Sequence, residues 1–218
     1  MDLYEAMRCA PTSRRFSDEP VAQDALRRAL EAARFAPSGG NRQGWRVVVV
    51  REARLRTELA AMYLPRWRNY MQLTGGAALL EDAGAKDDPR LQMVRRADEY
   101  ARRLAEVPVH LLVGVRMADV LATDEGLPRT SIVGGASIYP FVQNLLLALR
   151  AEGLGAAMTT LLVPAEEQVR ELLGIPEDVA LAAHVGVGHR VDPWPRTLSR
   201  RPVEEFAFAE RYGQALDG

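Results

Sequence analysis

Arg14–Val50 reads RRFSDEPVAQDALRRALEAARFAPSGGNRQGWRVVVV, and its signals set the fold class. From about Gln23 to Phe35, Ala25, Leu26, Ala29, Leu30 and Ala33 recur at helical spacing, with charges on the other face; this predicts an amphipathic helix. Ser17 or Asp18 stands where a cap belongs, and Pro37 stops the helix. Ser38-Gly39-Gly40-Asn41 is a loop whose glycines permit unusual dihedrals. Trp45–Val50 is an unbroken, mostly β-branched run, which predicts a strand buried on both faces and central in a sheet. A helix that passes through a short polar loop into a buried strand belongs to a mixed α and β protein.

Toward the N-terminus, residues 2–9 form a short helix with Leu3 and Met7 at helical spacing, ended by Pro11. Toward the C-terminus, residues 53–64 read as a helix ending at Pro65. Residues 66–103 are polar, broken by Gly75-Gly76 and Pro89, and helical in parts. Val109–Val115 is a second buried strand, and 117–132 a loop. Ala136–Glu152 is a long apolar helix, in which Pro140 requires either a start near Tyr139 or a kink. Gly153 stops it. A strand at Ala156–Leu161, a helix at Pro164–Leu173 and a strand at Leu181–Val187 follow. The tail from Arg190 is basic and proline-rich, with an amphipathic stretch near Glu204–Tyr212. No repeat or linker divides the chain, so one domain is expected over 1–218, with a helical insert at about 66–103.

The 218 residues are 48% hydrophobic and 26% charged, enough apolar surface to bury a sizeable core. With 28 basic against 29 acidic residues the formal net charge is −1, so no global field attracts nucleic acid or an anionic membrane. The lone Cys9 excludes an internal disulfide framework, and no apolar run is long enough to span a membrane. The expected protein is soluble and cytoplasmic. There is no G-x-G-x-x-G, no P-loop and no G-x-S-x-G elbow. His184 and His189 fall on opposite faces of a strand and turn, and His110 reads as a hydrogen-bonded core residue, so no metal site is expected. Cys9 reads as structural.

Four clusters remain. Arg8 with Thr12-Ser13-Arg14-Arg15 suits a phosphate, although on composition alone a solvated basic loop with an N-cap is the more ordinary reading. Pro37-Ser38-Gly39-Gly40-Asn41-Arg42-Gln43 suits a planar ligand, or a plain tight turn. Thr159-Thr160-Leu161 offers backbone N–H groups, or is an ordinary strand end. Arg196, Arg200 and Arg201, before Pro202-Val203-Glu204-Glu205, are by themselves a charged tail.

Together and in this order these elements resemble the nitroreductase family of FMN flavoproteins. The Arg14–Val50 stretch is similar to its basic opening segment, helix, A-P-S-x-x-N-x-Q-P-W loop and strand. Gln143-Asn144-Leu145-Leu146, Gly153-Leu154-Gly155 and VGVGHR…SRRPVEEF continue the likeness. The resemblance implies an α+β fold with a central mixed, mainly antiparallel sheet of four to five strands surrounded by helices, in a homodimer. It implies that Thr12, Ser13 and Arg14 hold the FMN phosphate and ribityl chain. Pro37, Ser38, Asn41 and Gln43 match the loop beside the flavin, usually supplied by the partner subunit. Thr159, Thr160 and Leu161 match the strand whose N–H meets flavin N5. Arg200 matches the C-terminal phosphate Arg, assisted by Arg201. Ala10 stands where the family has its first Arg, leaving Arg8 as the nearest in sequence. Gly44 replaces a proline, which would loosen the turn, and Tyr100 falls near the place of an Asn beside the flavin pyrimidine.

The implied activity is transfer of hydride from NAD(P)H to flavin N5, then reduction of an electron-poor small molecule, a nitroaromatic or quinone, by a ping-pong mechanism. Flavin carries that chemistry, which agrees with the lack of a triad or metal site. The alternatives are a dehalogenase or flavin-modifying relative, although no Glu–Tyr–Lys set of a deiodinase is clear, and a non-catalytic flavin-binding protein. Trp67, Tyr70, Met71, Met93 and Tyr100 in the insert form either a lid with an aromatic wall or a dimer brace.

Overall fold

Four strands, β1 (Trp45–Val50), β2 (Val109–Arg116), β3 (Gly155–Thr159) and β4 (Val179–Gly188), pair antiparallel in the order β1-β2-β4-β3. They belong to a computed structural model that describes residues 1–82, 84 and 88–216. The expected parallel component is a single bridge, Thr12 to Ala156, which ties the N-terminal segment to β3. Seven α-helices appear among the described residues: α1 (Leu3–Cys9), α2 (Gln23–Ala33), α3 (Ala53–Leu73), α4 (Gly76–Glu81), α5 (Pro89–Arg102), α6 (Tyr139–Ala151) and α7 (Glu166–Leu173).

Side chains of β2 alternate between two cores. Val109, Leu111 and Val113 pack with Leu26 and Ala29 of α2 and Leu145 and Leu149 of α6. Leu112 packs on the other face with Leu59 and Trp67 of α3, Leu104, and Val169 of α7. The sheet is therefore the middle of three layers. A bulge between Val113 and Gly114 lets β2 pair along the whole of β4.

Three expectations fail for physical reasons. β1 lies at an edge of the sheet, not at its centre. Its Val47 and Val48 are half-buried by layers above and below, while Arg46 and Val49 are exposed, so helix cover alone accounts for the β-branched run. Pro65 does not end α3, which runs on to Leu73. Leu59, Tyr63, Trp67 and Met71, four apart, bury one continuous face, and that packing outweighs the one N–H that proline removes. Neither Ser17 nor Asp18 caps α2, whose N-cap is Ala22 without a side-chain bond.

Other boundaries shift little. Pro140 sits in the first turn of α6, so that helix starts at Tyr139 and is not kinked there. Leu3, Tyr4 and Met7 of α1 face outward, and Ala6 and Cys9 are its buried residues. The loop after β2 is organised by Asp124, whose carboxylate accepts from Arg129, from Ser131 Oγ at 2.7 Å and from the Ile132 N–H at 3.0 Å. No amphipathic helix forms near 204–212, where a single 3-10 turn spans Val203–Glu205.

Candidate functional site

The tight end of β3 and the segment bridged to it open onto a cavity of about 690 Å³. Thr12 and Arg14 line one side of it, Ala157–Leu161 run along it, and α3, α4 and α5 supply the far wall. Trp67, Tyr70, Met71, Met93 and Tyr100 all line that wall. Residues 83 and 85–87 of the insert lie outside the described residues.

The wall is rigidly held. Trp67 Nε1 donates to Asp98 Oδ1 at 2.9 Å, and Arg102 donates to Asp98 Oδ2 at 2.6 Å. Burial opposes ionisation of Asp98, but the bonds from Arg102 and Trp67 outweigh it and hold the carboxyl below its ordinary range. Tyr63 stands edge-on to His184, 6.2 Å between ring centroids, and its hydroxyl approaches Thr159 Oγ1 at 3.5 Å. Thr159 Oγ1 also accepts the Leu161 N–H at 3.3 Å, which fixes the turn that ends β3.

Two features of the cavity are unsatisfied. The Tyr100 hydroxyl is buried without a partner, pressed so closely over Gly186 that any Cβ there would strike it. Burial raises its pKa, so it is a neutral donor. The Arg14 guanidinium lines the same space and makes no hydrogen bond or ion pair among the described residues. A buried orphan donor and an unpaired cation at one cavity mark a place for a polar, anionic ligand. Among the described residues no carboxylate lines it, and Arg14 and Arg90 are its charged groups.

The structure brings Thr12, Arg14, Thr159, Thr160 and Leu161 together. Ser13 is elsewhere: fully buried, its N–H bonded to the Ala156 carbonyl at 2.8 Å and its Oγ accepting from Arg190 Nη1 at 3.1 Å. Arg8 is exposed on α1 and does not line this cavity, although its carbonyl accepts the Leu198 N–H. Arg200 is exposed and donates to the neighbouring Ser199 carbonyl, while Arg201 lies 3.8 Å from Glu205.

Pro37, Ser38, Asn41 and Gln43 do not reach the cavity within one chain. Their loop is nevertheless fixed. Ser38 Oγ accepts the Gln43 N–H at 3.0 Å, and Gln43 Nε2 donates to Asn41 Oδ1 at 3.1 Å. Both Asn41 and Gln43 adopt φ of 53°, a conformation costly for glutamine and held here by those bonds. Gly44 does more than loosen the turn: an added Cβ would lie 2.6 Å from Asp119 Cβ. The Gly44 carbonyl accepts the Arg116 N–H, and Arg116 is clamped on Asp119 at 2.7 Å.

Sequence reasoning missed the partner of His110. Its Nδ1 lies 2.6 Å from His184 Nε2, the rings stacked 4.9 Å apart, both residues buried. The register pairs His110 with Gly186 and Leu112 with His184, so the two histidines are diagonal neighbours on one face. Burial, helped by the Arg56 charge, lowers His110 to about 4, against the opposing pull of the Leu104 carbonyl. His184 is depressed further by burial and by His110. Cross-strand alternation would have found the pair, had the β2–β4 register been known. Among the described residues no cluster of His, Cys, Asp and Glu could hold a metal ion, and no helix is long and apolar enough to cross a membrane.

Known proteins are similar to this chain in sequence and fold. The chain is 33% identical to an NADH dehydrogenase of Thermus thermophilus over 81% of this chain and 80% of that one. It is 29% identical to a 5,6-dimethylbenzimidazole synthase of Rhodospirillum rubrum over 92% of this chain and 82% of that one. A crystal structure of an iodotyrosine deiodinase bound to FMN and 3-iodo-L-tyrosine superposes with a TM-score of 0.67 at 25% identity, covering 92% of this chain and 96% of that one. The model of the nitroreductase family matches residues 11–189, from the segment bridged to β3 to the end of β4, and the chain belongs to that family.

Proposed function

We infer that the chain is a homodimeric FMN-dependent oxidoreductase that takes electrons from NAD(P)H and passes them to a small electron-poor acceptor. The observation that carries this reading is the cavity that gathers Thr12, Arg14 and Thr159–Leu161 opposite an aromatic wall. Its volume of about 690 Å³ is in the range of cofactor sites. When bound, FMN supplies the hydride chemistry at N5.

The chain's own residues then have separable tasks. Arg14 offers a guanidinium to the anionic or carbonyl side of the flavin, and Tyr100 its orphan hydroxyl. The backbone at Thr159–Leu161, stiffened by the Thr159 side chain, presents N–H groups to the ring edge. Ser38, Asn41 and Gln43, with Pro37, complete the site from the partner subunit, which gives their strained, pre-ordered loop a purpose. Arg200 and Arg201 approach the phosphate when the tail closes on it. Trp67, Tyr70, Met71 and Met93 form a lid that excludes water and accepts a flat acceptor. The Arg14 and Arg90 guanidinium groups in its lining suit a nitro group or quinone carbonyl better than a cation.

The test is to purify the protein, identify the released flavin, and follow initial rates with both nicotinamides against a quinone and a nitrofuran. Parallel lines at several fixed donor concentrations are expected, because one site serves both substrates in turn. Intersecting lines refute the two-stroke reading, and a colourless protein that takes up no FMN refutes the flavin itself. The likeness to the synthase and the deiodinase supports a second reading, a flavin-modifying or dehalogenating enzyme. Loss of the FMN absorbance under oxygen with donor alone, or halide release from a halophenol, would favour it.

A further inference from the structure

Position 10 carries alanine where the family resemblance calls for arginine, and Arg8, the nearest in sequence, does not line the large cavity. A second cavity of about 70 Å³, the size of a phosphate group, lies directly against Ala10. Thr12 and Met158 line both this cavity and the large one, so the two meet at this edge of the sheet. Arg150, from the last turn of α6, and Trp194 close the small one.

This corner gathers two guanidinium groups without a direct ion pair among the described residues. The Arg150 guanidinium lies 3.9 Å above the Trp194 ring and its Nε donates to the Cys9 carbonyl at 3.3 Å. Arg190 lies 5.5 Å from the same ring, and its other contacts are the Ser13 hydroxyl and the Pro193 carbonyl. Neither arginine makes an ion pair among the described residues. Burial depresses the Arg190 guanidinium; the Asp192 charge opposes it, and the smaller effects of Arg96 and Arg150 add to the depression. Two neighbouring guanidinium groups braced by an indole, with only neutral acceptors, leave positive charge that an anion would neutralise. The Thr12 hydroxyl, exposed beside them, has no hydrogen bond among the described residues.

We propose that Arg150 supplies the guanidinium that Ala10 lacks, so that the small cavity holds the FMN phosphate between Arg150 and Thr12 while the ring occupies the large one. This rests on the flavin reading above. Arg190 acts behind it, holding Ser13 and bracing Trp194, and Trp194 orients Arg150 by stacking beneath it. The guanidinium thus comes from α6 while the N-terminal segment supplies the Thr12 hydroxyl, and the smaller side chain at position 10 makes room for Arg150.

The experiment compares dissociation constants of FMN and riboflavin, measured by flavin fluorescence quenching on the wild-type protein, Arg150→Met, and Arg150→Met with Ala10→Arg. Riboflavin has the same ring and no phosphate. Arg150→Met is expected to weaken FMN about tenfold or more, the range for a lost charged hydrogen bond, and to leave riboflavin within about twofold. Ala10→Arg is expected to restore most of the FMN affinity. Unchanged FMN affinity, or equal losses for both flavins, overturns the proposal while leaving the flavin reading intact. Wild-type protein that binds neither flavin overturns the flavin reading and the clamp with it. If Arg150→Met does not fold, Arg150→Lys decides: a several-fold loss for FMN alone supports the clamp, and equal behaviour of the two flavins refutes it.

Discussion

The buried histidine pair makes stability depend on pH in a window that few other groups share. Both rings are neutral in the folded protein, with one proton between His110 Nδ1 and His184 Nε2, 2.6 Å apart. Unfolded, each titrates near 6.5. Folding lowers His110 to about 4 and His184 well below its ordinary value. A histidine with a depressed folded pKa stabilises the protein above the unfolded pKa. That contribution is lost as pH falls from 6.5 toward 4. For His110 alone the loss between pH 7.5 and pH 5 is about 2 kcal/mol, from the proton that the unfolded chain binds and the folded chain refuses. His184 extends the loss to lower pH, since its protonation must also break the bond to His110. The assay is urea unfolding of FMN-saturated protein at half-unit steps from pH 7.5 to 4.5. A double variant, His110→Leu with His184→Leu, removes both partners, keeps His189, and is expected to flatten the slope between pH 6.5 and 5. Single His110→Leu leaves a buried nitrogen of His184 unpaired and is expected to cost roughly 1–3 kcal/mol at pH 7.5. A flat wild-type curve between pH 6.5 and 5, or an unchanged slope in the double variant, would refute the reasoning.

Further predictions concern the cavity and its supports. Arg14→Ala is expected to weaken FMN binding by roughly 1.5–3 kcal/mol, read by fluorescence titration; unchanged affinity removes Arg14 from the site. Tyr70→Ala with Met93→Ala is expected to shift the kcat/KM ratio between a quinone and a nitrofuran by about tenfold or more with FMN still bound; loss of FMN would instead make the insert a brace. Gly44→Ala is expected to cost about 1–3 kcal/mol in urea unfolding, because the new methyl meets Asp119; a neutral result would show that the Arg116–Asp119 clamp moves aside at little cost.

Much of the local structure was legible because it depends on neighbours in the chain. The period of Ala25, Leu26, Ala29 and Ala33 and the stops at Pro37 and Gly153 are local signals, and the helices they bound appear where expected. The family likeness of the Arg14–Val50 stretch is equally a property of order and spacing. It singled out Thr12, Arg14 and Thr159–Leu161 as candidates, and the fold places these at one cavity.

The amino-acid sequence by itself determined the fold class, the family and the residue types a flavin would need, since periodicity, turn chemistry and motif order are written along the chain. Only the tertiary structure decided which strand lies at the edge, because strand order depends on pairing partners far apart in sequence. Tertiary packing also carried α3 through Pro65, sent the Ser13 hydroxyl to Arg190, paired His110 with His184 across the β2–β4 register, and brought Arg150 beside Ala10. Each of these joins residues whose separation along the chain says nothing of their distance in space, or rests on burial that local propensity does not contain.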